Sequence, residues 1–489
     1  MDFKGLGLKC GIEIHQQLNT KSKLFCGCSA NFSEEKPVKT VARRLRFVAG
    51  ETGEVDAAAM HEFLKGREFR YRVYENESCL VELDEEPPHP LNRDALETAL
   101  QIALMLNCDI PDEIEVMRKT VIDGSNTSGF QRTCIVGLNG FLDTSLGRVK
   151  ISNVCLEEES CQIIEKEGSS AVYGLNRLGI PLVEIGTGIM ENPEQAKETA
   201  EKLGLILRST GRVRRGLGTI RQDLNVSVER GARVEIKGVQ RLNMIPKLIG
   251  VEAARQLDII KQKKTVSSDV RKALDDGTTE YMRPMPGSAR LYPETDIPPV
   301  RIEKTFLAKL RKHLPEKIEE TVGKLLKCGL NEELANQLMH SDRLEWFNEL
   351  VRNGIEPNFA ANTLLSVVIQ LRRDGVNTGN LGIEKIRDVL VFVKNRRITK
   401  DAVPAVLKAA AERPGEKIEN IIKSVSDGGV PAEKAEEFVR NIVEKNKHVF
   451  GLPNPQQAFM GLVMKELKGS VPGSVVSEIL KKVMERGKK

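Results

Sequence analysis

No window of the chain approaches the roughly eighteen consecutive apolar residues that a membrane helix needs, and the opening residues Met1-Asp2-Phe3-Lys4 lack the apolar run of a secretion signal. The expectation is a cytoplasmic protein with no membrane partner. The usual nucleotide motifs are missing too. The polar loop Asp123-Gly124-Ser125-Asn126-Thr127-Ser128-Gly129 lies beside Arg118 and Lys119 but lacks the Gly-Lys-Ser/Thr ending of a P-loop. Gly216-Leu217-Gly218 lacks the third glycine of a dinucleotide fold. Nine cysteines, an odd number scattered through 489 residues, read as reduced thiols rather than a disulfide framework. Cys26-Gly27-Cys28 is half a zinc site. A structural zinc takes four ligands, and the neighbouring sequence offers no second close pair, only Cys79. Zinc is therefore expected to be absent. A net charge of +5 is modest, so a nucleic-acid partner must meet local patches.

With 40% apolar and 29% charged residues, the chain has the composition of an ordinary globular protein too long for one core. Residues 1–300 are rich in glycine and β-branched residues and read as mixed strands and short helices. Arg43-Arg44-Leu45-Arg46-Phe47-Val48 and Phe69-Arg70-Tyr71-Arg72-Val73-Tyr74 alternate as half-buried strands do. Asp84-Glu85-Glu86-Pro87-Pro88 reads as a solvated loop. Asn92 or Asp94 then caps a helix from Ala95 to Met105. After Pro299 the spacing becomes helical: Ile302–Leu310, Lys317–Lys327, Glu332–His340, Arg343–Arg352 and Ala360–Arg373, with Asn331, Ser341 and Asn358 as caps. The polar stretch 374–380 is a linker, and more helices follow it to a basic end at Lys481-Lys482 and Lys488-Lys489. The expected fold class is α+β: a mixed α/β domain over 1–300, a helical connector over 301–375 and a helical tail over 376–489.

The chemistry concentrates between Val154 and Val239. Pro181 cannot donate to a sheet ladder and so belongs at a strand's start, which leaves Glu184 embedded among Leu182, Val183 and Ile185. Glu184 is then either a strand-edge surface residue or one wall of a charged site. Near the N-terminus, Gly11-Ile12-Glu13-Ile14-His15 alternates, so Glu13 and His15 share a strand face. An acid and a histidine two apart, in a chain that also carries Glu158, Glu184 and Asp223, suggest a hard-cation site with one nitrogen ligand. Carboxylate-rich sites of that kind suit magnesium or manganese and work with phosphates. From Leu205 to Ile245 there are nine basic residues against three acidic ones. Alternation over 221–228 puts Arg221, Asp223, Asn225 and Ser227 on one face, and Arg233-Val234-Glu235-Ile236-Lys237 repeats the pattern. Such a face is either the solvent side of a sheet or a floor for phosphates. Asn176, Arg177, Arg221 and Asn225 are the candidates for that floor, with Lys119 and Lys237 beside them. For Arg177 an ion pair with an acid of the 157–159 run is the alternative.

Several of these segments resemble the GatB/GatE family, the kinase and transferase subunits of tRNA-dependent amidotransferases. They are Gly11-Ile12-Glu13-Ile14-His15, Leu156-Glu157-Glu158, Asn176-Arg177, Pro181-Leu182-Val183-Glu184-Ile185, Asp223-Leu224-Asn225 and Glu235-Ile236-Lys237. The segment from Met282-Arg283-Pro284-Met285-Pro286-Gly287 to Asp296-Ile297-Pro298 points to the archaeal E-type branch. The resemblance implies a catalytic cradle followed by a helical connector and a YqeY-like tail that grips tRNA. It implies a ligase that phosphorylates the γ-carboxyl of glutamate on Glu-tRNA(Gln) with ATP and Mg2+, then replaces phosphate with ammonia. His15, Glu158 and Glu184 would hold the metal, with Glu13 and Asp223 close by. The partner would be an asparaginase-like, ammonia-supplying subunit of the GatD type, in a hetero-oligomer. The chain departs from the family twice. It lacks the Cys-x-x-Cys that completes the Cys-x-Cys pair in bacterial B-type subunits. It also lacks the aspartyl-tRNA-synthetase-like insertion usual ahead of the Arg-Pro-Met-Pro-Gly segment in the E-type branch. The alternative function is a non-catalytic tRNA-binding or assembly protein on the same scaffold.

Overall fold

The computed structural model describes residues 3–487 apart from 33–35, 45–52, 54–59, 61–62, 65, 122, 168–169, 286–290, 428–434, 452–453 and 468–472. The chain divides into two compact units, Met1–Glu316 and Lys317–Lys489. The first is built on sheets and the second on helices, which makes the class α+β.

Sixteen strands are found among the described residues of the first unit: β1 (Lys9–Gln17), β2 (Lys39–Arg43), β3 (Glu68–Val73), β4 (Glu113–Ile114), β5 (Val116–Thr120), β6 (Phe130–Thr144), β7 (Gly147–Glu158), β8 (Gln162–Glu167), β9 (Ser170–Gly174), β10 (Pro181–Thr187), β11 (Ile220–Ser227), β12 (Val234–Val239), β13 (Asp269–Ala273), β14 (Thr279–Pro284), β15 (Leu291–Pro293) and β16 (Val300–Arg301). Ten form one sheet in the order β14-β13-β12-β11-β1-β10-β7-β6-β5-β15, with β1 near its middle. β1 pairs antiparallel with β10 on one side and β11 on the other. A second sheet runs β2-β3-β9-β8. β2 ends at Arg43, so the rest of the expected strand 43–48 falls almost entirely outside the described residues.

The large sheet has an apolar face and a polar face because its strands alternate. In β1, Cys10, Ile12 and Ile14 are buried, while Glu13 and His15 are half-buried on the other side. Val183 and Ile185 of β10, Leu156 and Val154 of β7, and Leu224 and Ile236 of the next strands join the apolar face by register. Each such side chain contributes about 1.5–3 kcal/mol on burial. Helices α1 (Arg93–Met105), α2 (Pro193–Ser209) and α3 (Ile245–Lys261) pack on the sheet, against β6 and β7, β1 and β6, and β11 respectively. α1 is capped by Asn92, whose Oδ1 accepts from the Ala95 N–H at 3.1 Å, and not by Asp94. Gly140 lets β6 pass the end of α1: a Cβ there would lie 2.5 Å from the Leu106 carbonyl oxygen. The acidic loop after β3 is exposed from Asp84 to Pro87, as a solvated segment is.

In the second unit the expected helices form with shifts at their ends. Asn331 caps Glu332–His340 through the Leu334 N–H. Asn358 is not a cap. Glu356 takes that role, accepting from the N–H groups of Asn358 and Phe359, because Pro357 fixes the first helical position. Ser341 closes the preceding helix instead of starting the next. The single helix expected over 360–373 carries a five-residue π-turn at Thr363–Val367, where Arg343 donates to the Leu364 carbonyl. Residues 374–380 do not separate two cores. One buried cluster runs from Leu325 through Leu364, Leu371 and Leu381 to Ile422. A second cluster spans Val439 to Val483.

Candidate active site

The polar face of the large sheet carries a band of charged side chains across seven strands. Register places His15 opposite Glu184 on one side and Arg221 on the other, and Glu13 opposite Asp223. The His15 Nε2 lies 3.1 Å from Glu184 Oε2. Lys119 of β5 donates to Glu157 Oε1 at 2.6 Å and reaches Glu184 Oε2 at 3.5 Å. Thr133 and Gln131 of β6 hold the same Glu157 carboxylate at 2.8 and 2.9 Å. On the far side of β1, Lys237 sits between Asp223, at 2.9 Å, and Glu235, at 2.6 Å. Asn225 donates to Glu13 Oε1 at 3.3 Å.

Two groups of donors sit close enough to share a cation. One atom each from Glu13, His15 and Glu184 lies within 4.8 Å of the others, and the same holds for Glu13, Asp223 and Glu235. Glu13 belongs to both groups, and its electrostatics differ from its neighbours'. Burial pushes its carboxyl above the usual range, and the charges of Glu184 and Glu235 push the same way. Burial opposes ionisation of Glu184 as well, but Lys119 and the hydrogen bond from His15 outweigh it and hold that carboxyl low. Asp223 is likewise held low against burial, chiefly by Lys237. For His15, burial disfavours the cation, yet the bond to Glu184 and the surrounding acids raise its pKa overall. Glu13 thus stands among anions that its lysines do not fully offset. A divalent ion at either group would relieve that repulsion, and oxygen-rich donors with one imidazole fit magnesium or manganese.

Glu158 is not in this band. β7 alternates, so Glu157 faces Lys119 while Glu158 faces the other way. Glu158 is buried, accepts from the Arg132 N–H at 2.9 Å, and lines a narrow crevice of about 10 Å3 with Glu82, Thr127 and Arg132. Burial raises its pKa, with Arg132 opposing. Of the expected metal trio His15, Glu158 and Glu184, the structure brings His15 and Glu184 together with Glu13 and turns Glu158 to the other face, while Glu157 is tied in through Lys119.

Two of the residues expected at the phosphate floor are engaged with a buried acid. Arg221 turns its fork on buried Glu159, with Nη1 and Nη2 donating to Oε2 and Oε1 at 2.8 Å each. Arg177 lies 3.6 Å from the same carboxylate and donates through Nε to the Ser160 carbonyl. The alternative of an ion pair for Arg177 is thus the one observed. Asn176 is buried close against Gly174, and its Oδ1 has no partner among the described residues. Asn225, Lys119 and Lys237 do border the acidic groups. Glu157, Glu159 and Glu235, which pair with Lys119, Arg221 and Lys237, were not among the expected site residues. Period-2 counting pairs Glu157 with Glu159 against Glu158, but it does not say which pair faces inward.

The sheet, backed by helices, thus presents a half-buried band of carboxylates, one imidazole and interleaved lysines, a donor set of the kind that can hold a cation. The profile of the GatB/GatE catalytic domain matches residues 8–308, and that of the GatB domain matches 345–484. The chain belongs to the GatB/GatE family. It is 34% identical to the E subunit of the glutamyl-tRNA(Gln) amidotransferase of Methanocaldococcus jannaschii, covering 99% of each chain, and 36% identical to that of Archaeoglobus fulgidus, again covering 99% of each. Its counterpart in Saccharolobus solfataricus is 33% identical over 98% of each chain. The alignment to the M. jannaschii protein is 627 positions long although this chain has 489 residues. The relative therefore has more than a hundred residues at positions that this chain leaves empty. No described helix is long and apolar enough to cross a membrane.

Proposed function

We propose that the chain is a subunit of a tRNA-dependent amidotransferase that converts glutamate on Glu-tRNA(Gln) to glutamine. One γ-carboxylate oxygen of the glutamyl group attacks the γ-phosphorus of ATP, and the bond to ADP breaks. Ammonia then attacks the acyl carbon, phosphate leaves with the C–O bond electrons, and nitrogen loses a proton. The observation that carries this reading is Glu13 shared between two cation-sized donor groups on one face with Lys119 and Lys237. Bound there, Mg2+ would neutralise charge on the transferred phosphoryl group.

Glu13, His15 and Glu184 would hold one ion, and Glu13, Asp223 and Glu235 a second. Lys119 bridges Glu157 and Glu184 and helps to hold Glu184 ionised, and Lys237 bridges Asp223 and Glu235 and does the same for Asp223. Arg221 gives two of its five N–H donors to Glu159, which leaves the others for nucleotide oxygens. Ammonia would come from a partner of the asparaginase-like type, and the helical unit would grip the body of the tRNA by shape and charge. A cytoplasmic setting fits such a substrate. ATP hydrolysis stimulated by Glu-tRNA(Gln), measured with the partner present, tests the proposal. Its absence would favour a tRNA-binding scaffold. Glu184→Gln should abolish transamidation and spare tRNA binding, and normal turnover at saturating magnesium would count against the assigned role.

A further inference from the structure

We propose that Gln256, whose hydrogen bonds all lie outside the acidic band, is the positioning residue for the donor group Glu13, Asp223 and Glu235, on the reading above that this group holds a cation. Glu13 is held by β1, which is paired on both sides. Asp223 and Glu235 belong to β11 and β12, and the setting of these two strands against each other decides where their carboxylates fall. Their ladder contains a bulge. Gln222 pairs with Val239 and Leu224 with Ile236, so Lys237 and Gly238 together stand opposite Asp223. The φ of Gly238, +78°, is the left-handed backbone that a bulge of this kind uses. The extra residue lets Asp223 take the Gly238 N–H at 3.1 Å on one oxygen and the Lys237 Nζ at 2.9 Å on the other. A slip of one residue in β12 would turn Glu235 and Lys237 to the other face.

Gln256 lies in α3, fully buried, and its amide is spent on the turn that joins the two strands. Oε1 accepts from the Val228 N–H at 3.4 Å, and Nε2 donates to the carbonyls of Val226 and Ala232 at 3.3 and 3.1 Å and to Glu252 Oε1 at 2.9 Å. Val226 and Val228 are on the β11 side and Ala232 is on the β12 side, so one side chain spans the hairpin. Glu252, itself fully buried, takes two bonds from Arg255 at 2.8 and 2.7 Å. As an acceptor only, it fixes which end of the Gln256 amide faces it. Gly231 gives the turn room to close on that amide, since a Cβ there would lie 2.1 Å from Oε1. An apolar side chain of similar size would withdraw these bonds, and the turn would shift to recover partners. Such a shift enters β12 just ahead of Glu235. The group Glu13, His15 and Glu184 has no member on β11 or β12 and is spared.

The test measures Mn2+ bound to the full-length chain without nucleotide, from the fall in the paramagnetic resonance signal of free Mn2+. Wild type should bind two ions in the band, one lost in His15→Ala and the other in Glu235→Gln. Gln256→Met, which keeps the volume and removes the amide, should weaken the Glu235-dependent ion about tenfold, the low end of what the surroundings of metal ligands contribute. It should leave the His15-dependent ion unchanged. Gly231→Ala displaces the amide from the turn side and should act in the same selective way. Gly124→Ala, a strained position outside both strands, controls for loss of stability and should leave both ions in place. Two ions held by Gln256→Met and Gly231→Ala as tightly as by wild type would overturn the proposal and leave the cation reading standing. Equal weakening of both ions would overturn it too, because that marks general loosening. Wild-type chain that binds fewer than two ions would overturn the cation reading itself, and the proposal with it.

Discussion

Glu159 anchors the cationic edge of the site, and replacing it with alanine puts a number on that role. It is fully buried, takes two N–H bonds from Arg221 and one from Gln17 at 3.0 Å, and pairs with Arg177. Removing one partner of a buried ion pair costs about 3–5 kcal/mol. Arg221 and Arg177 keep 28% and 27% of their side chains exposed, so water recovers part of their solvation and the lower end, about 3 kcal/mol, applies. At roughly 2 °C per kcal/mol for a unit of this size, the melting temperature should fall by about 6 °C. Thermal unfolding of the full chain, followed by circular dichroism, measures this. The pH dependence provides a second signature. Burial opposes ionisation of Glu159, but Arg221 and Arg177 outweigh it, so its folded pKa lies below the ordinary 4.5. A depressed acid contributes stability above its unfolded pKa and loses it as pH falls through the folded value. The gap between wild type and Glu159→Ala should thus be constant near neutrality and close on acidification below about pH 4.5. A loss under about 1 kcal/mol, the range of an exposed pair, or a gap that widens in acid, would refute the reasoning.

Arg221→Lys keeps the charge and loses the fork that grips Glu159, so the ATP requirement should rise far more than the tRNA requirement. Equal effects in steady-state titrations would remove Arg221 from the nucleotide site. Removing residues 435–489 should weaken tRNA binding in a salt-dependent way and leave the cluster from Leu325 to Ile422 intact. Cutting at 376 should instead unfold the helical unit, since Leu364 and Leu371 would lose Leu381, Ile386 and Leu390 as partners; an unchanged far-ultraviolet helix signal per residue would contradict this. Gly124→Ala should destabilise the first unit by about 1–3 kcal/mol, because the residue has φ +89° and a Cβ would meet the Phe69 ring at 2.3 Å. A melt within error of wild type would show that the loop yields.

What could be read from the sequence followed periodicity, and what could not followed registry between strands. Alternation alone put Glu13 and His15 on one face and Arg221, Asp223 and Asn225 on another, because side chains in a strand repeat every two residues. It could not choose between Glu157 and Glu158, since each begins a valid alternating set and only pairing with β10 and β6 decides. Arg221 looked like a free phosphate ligand because its anion, Glu159, lies 62 residues away in the chain, whereas for Arg177 pairing with the 157–159 run was already the alternative. In the helical unit the helix positions were legible from three-to-four spacing, but the grouping into cores was not. A polar linker at 374–380 marks a turn, and only packing shows that the helices on both sides of it share one core.

The acidic band depends on β1 lying between β10 and β11. A strand paired on both sides brings two sets of groups to each of its residues, so His15 meets Glu184 and Arg221, and Glu13 meets Asp223 across one ladder and reaches Glu184 diagonally. A slip of one residue would carry Glu13 and His15 beneath the helices and expose Ile12 and Ile14. The cost of burying an acid and an imidazole without partners, added to the lost burial of two isoleucines, exceeds the few kcal/mol that separate competing registers. The geometry of the charged face is thereby held by the apolar one: substitutions at Ile12 or Ile14 that keep volume should preserve the site, because those side chains lie on the face of β1 opposite Glu13 and His15.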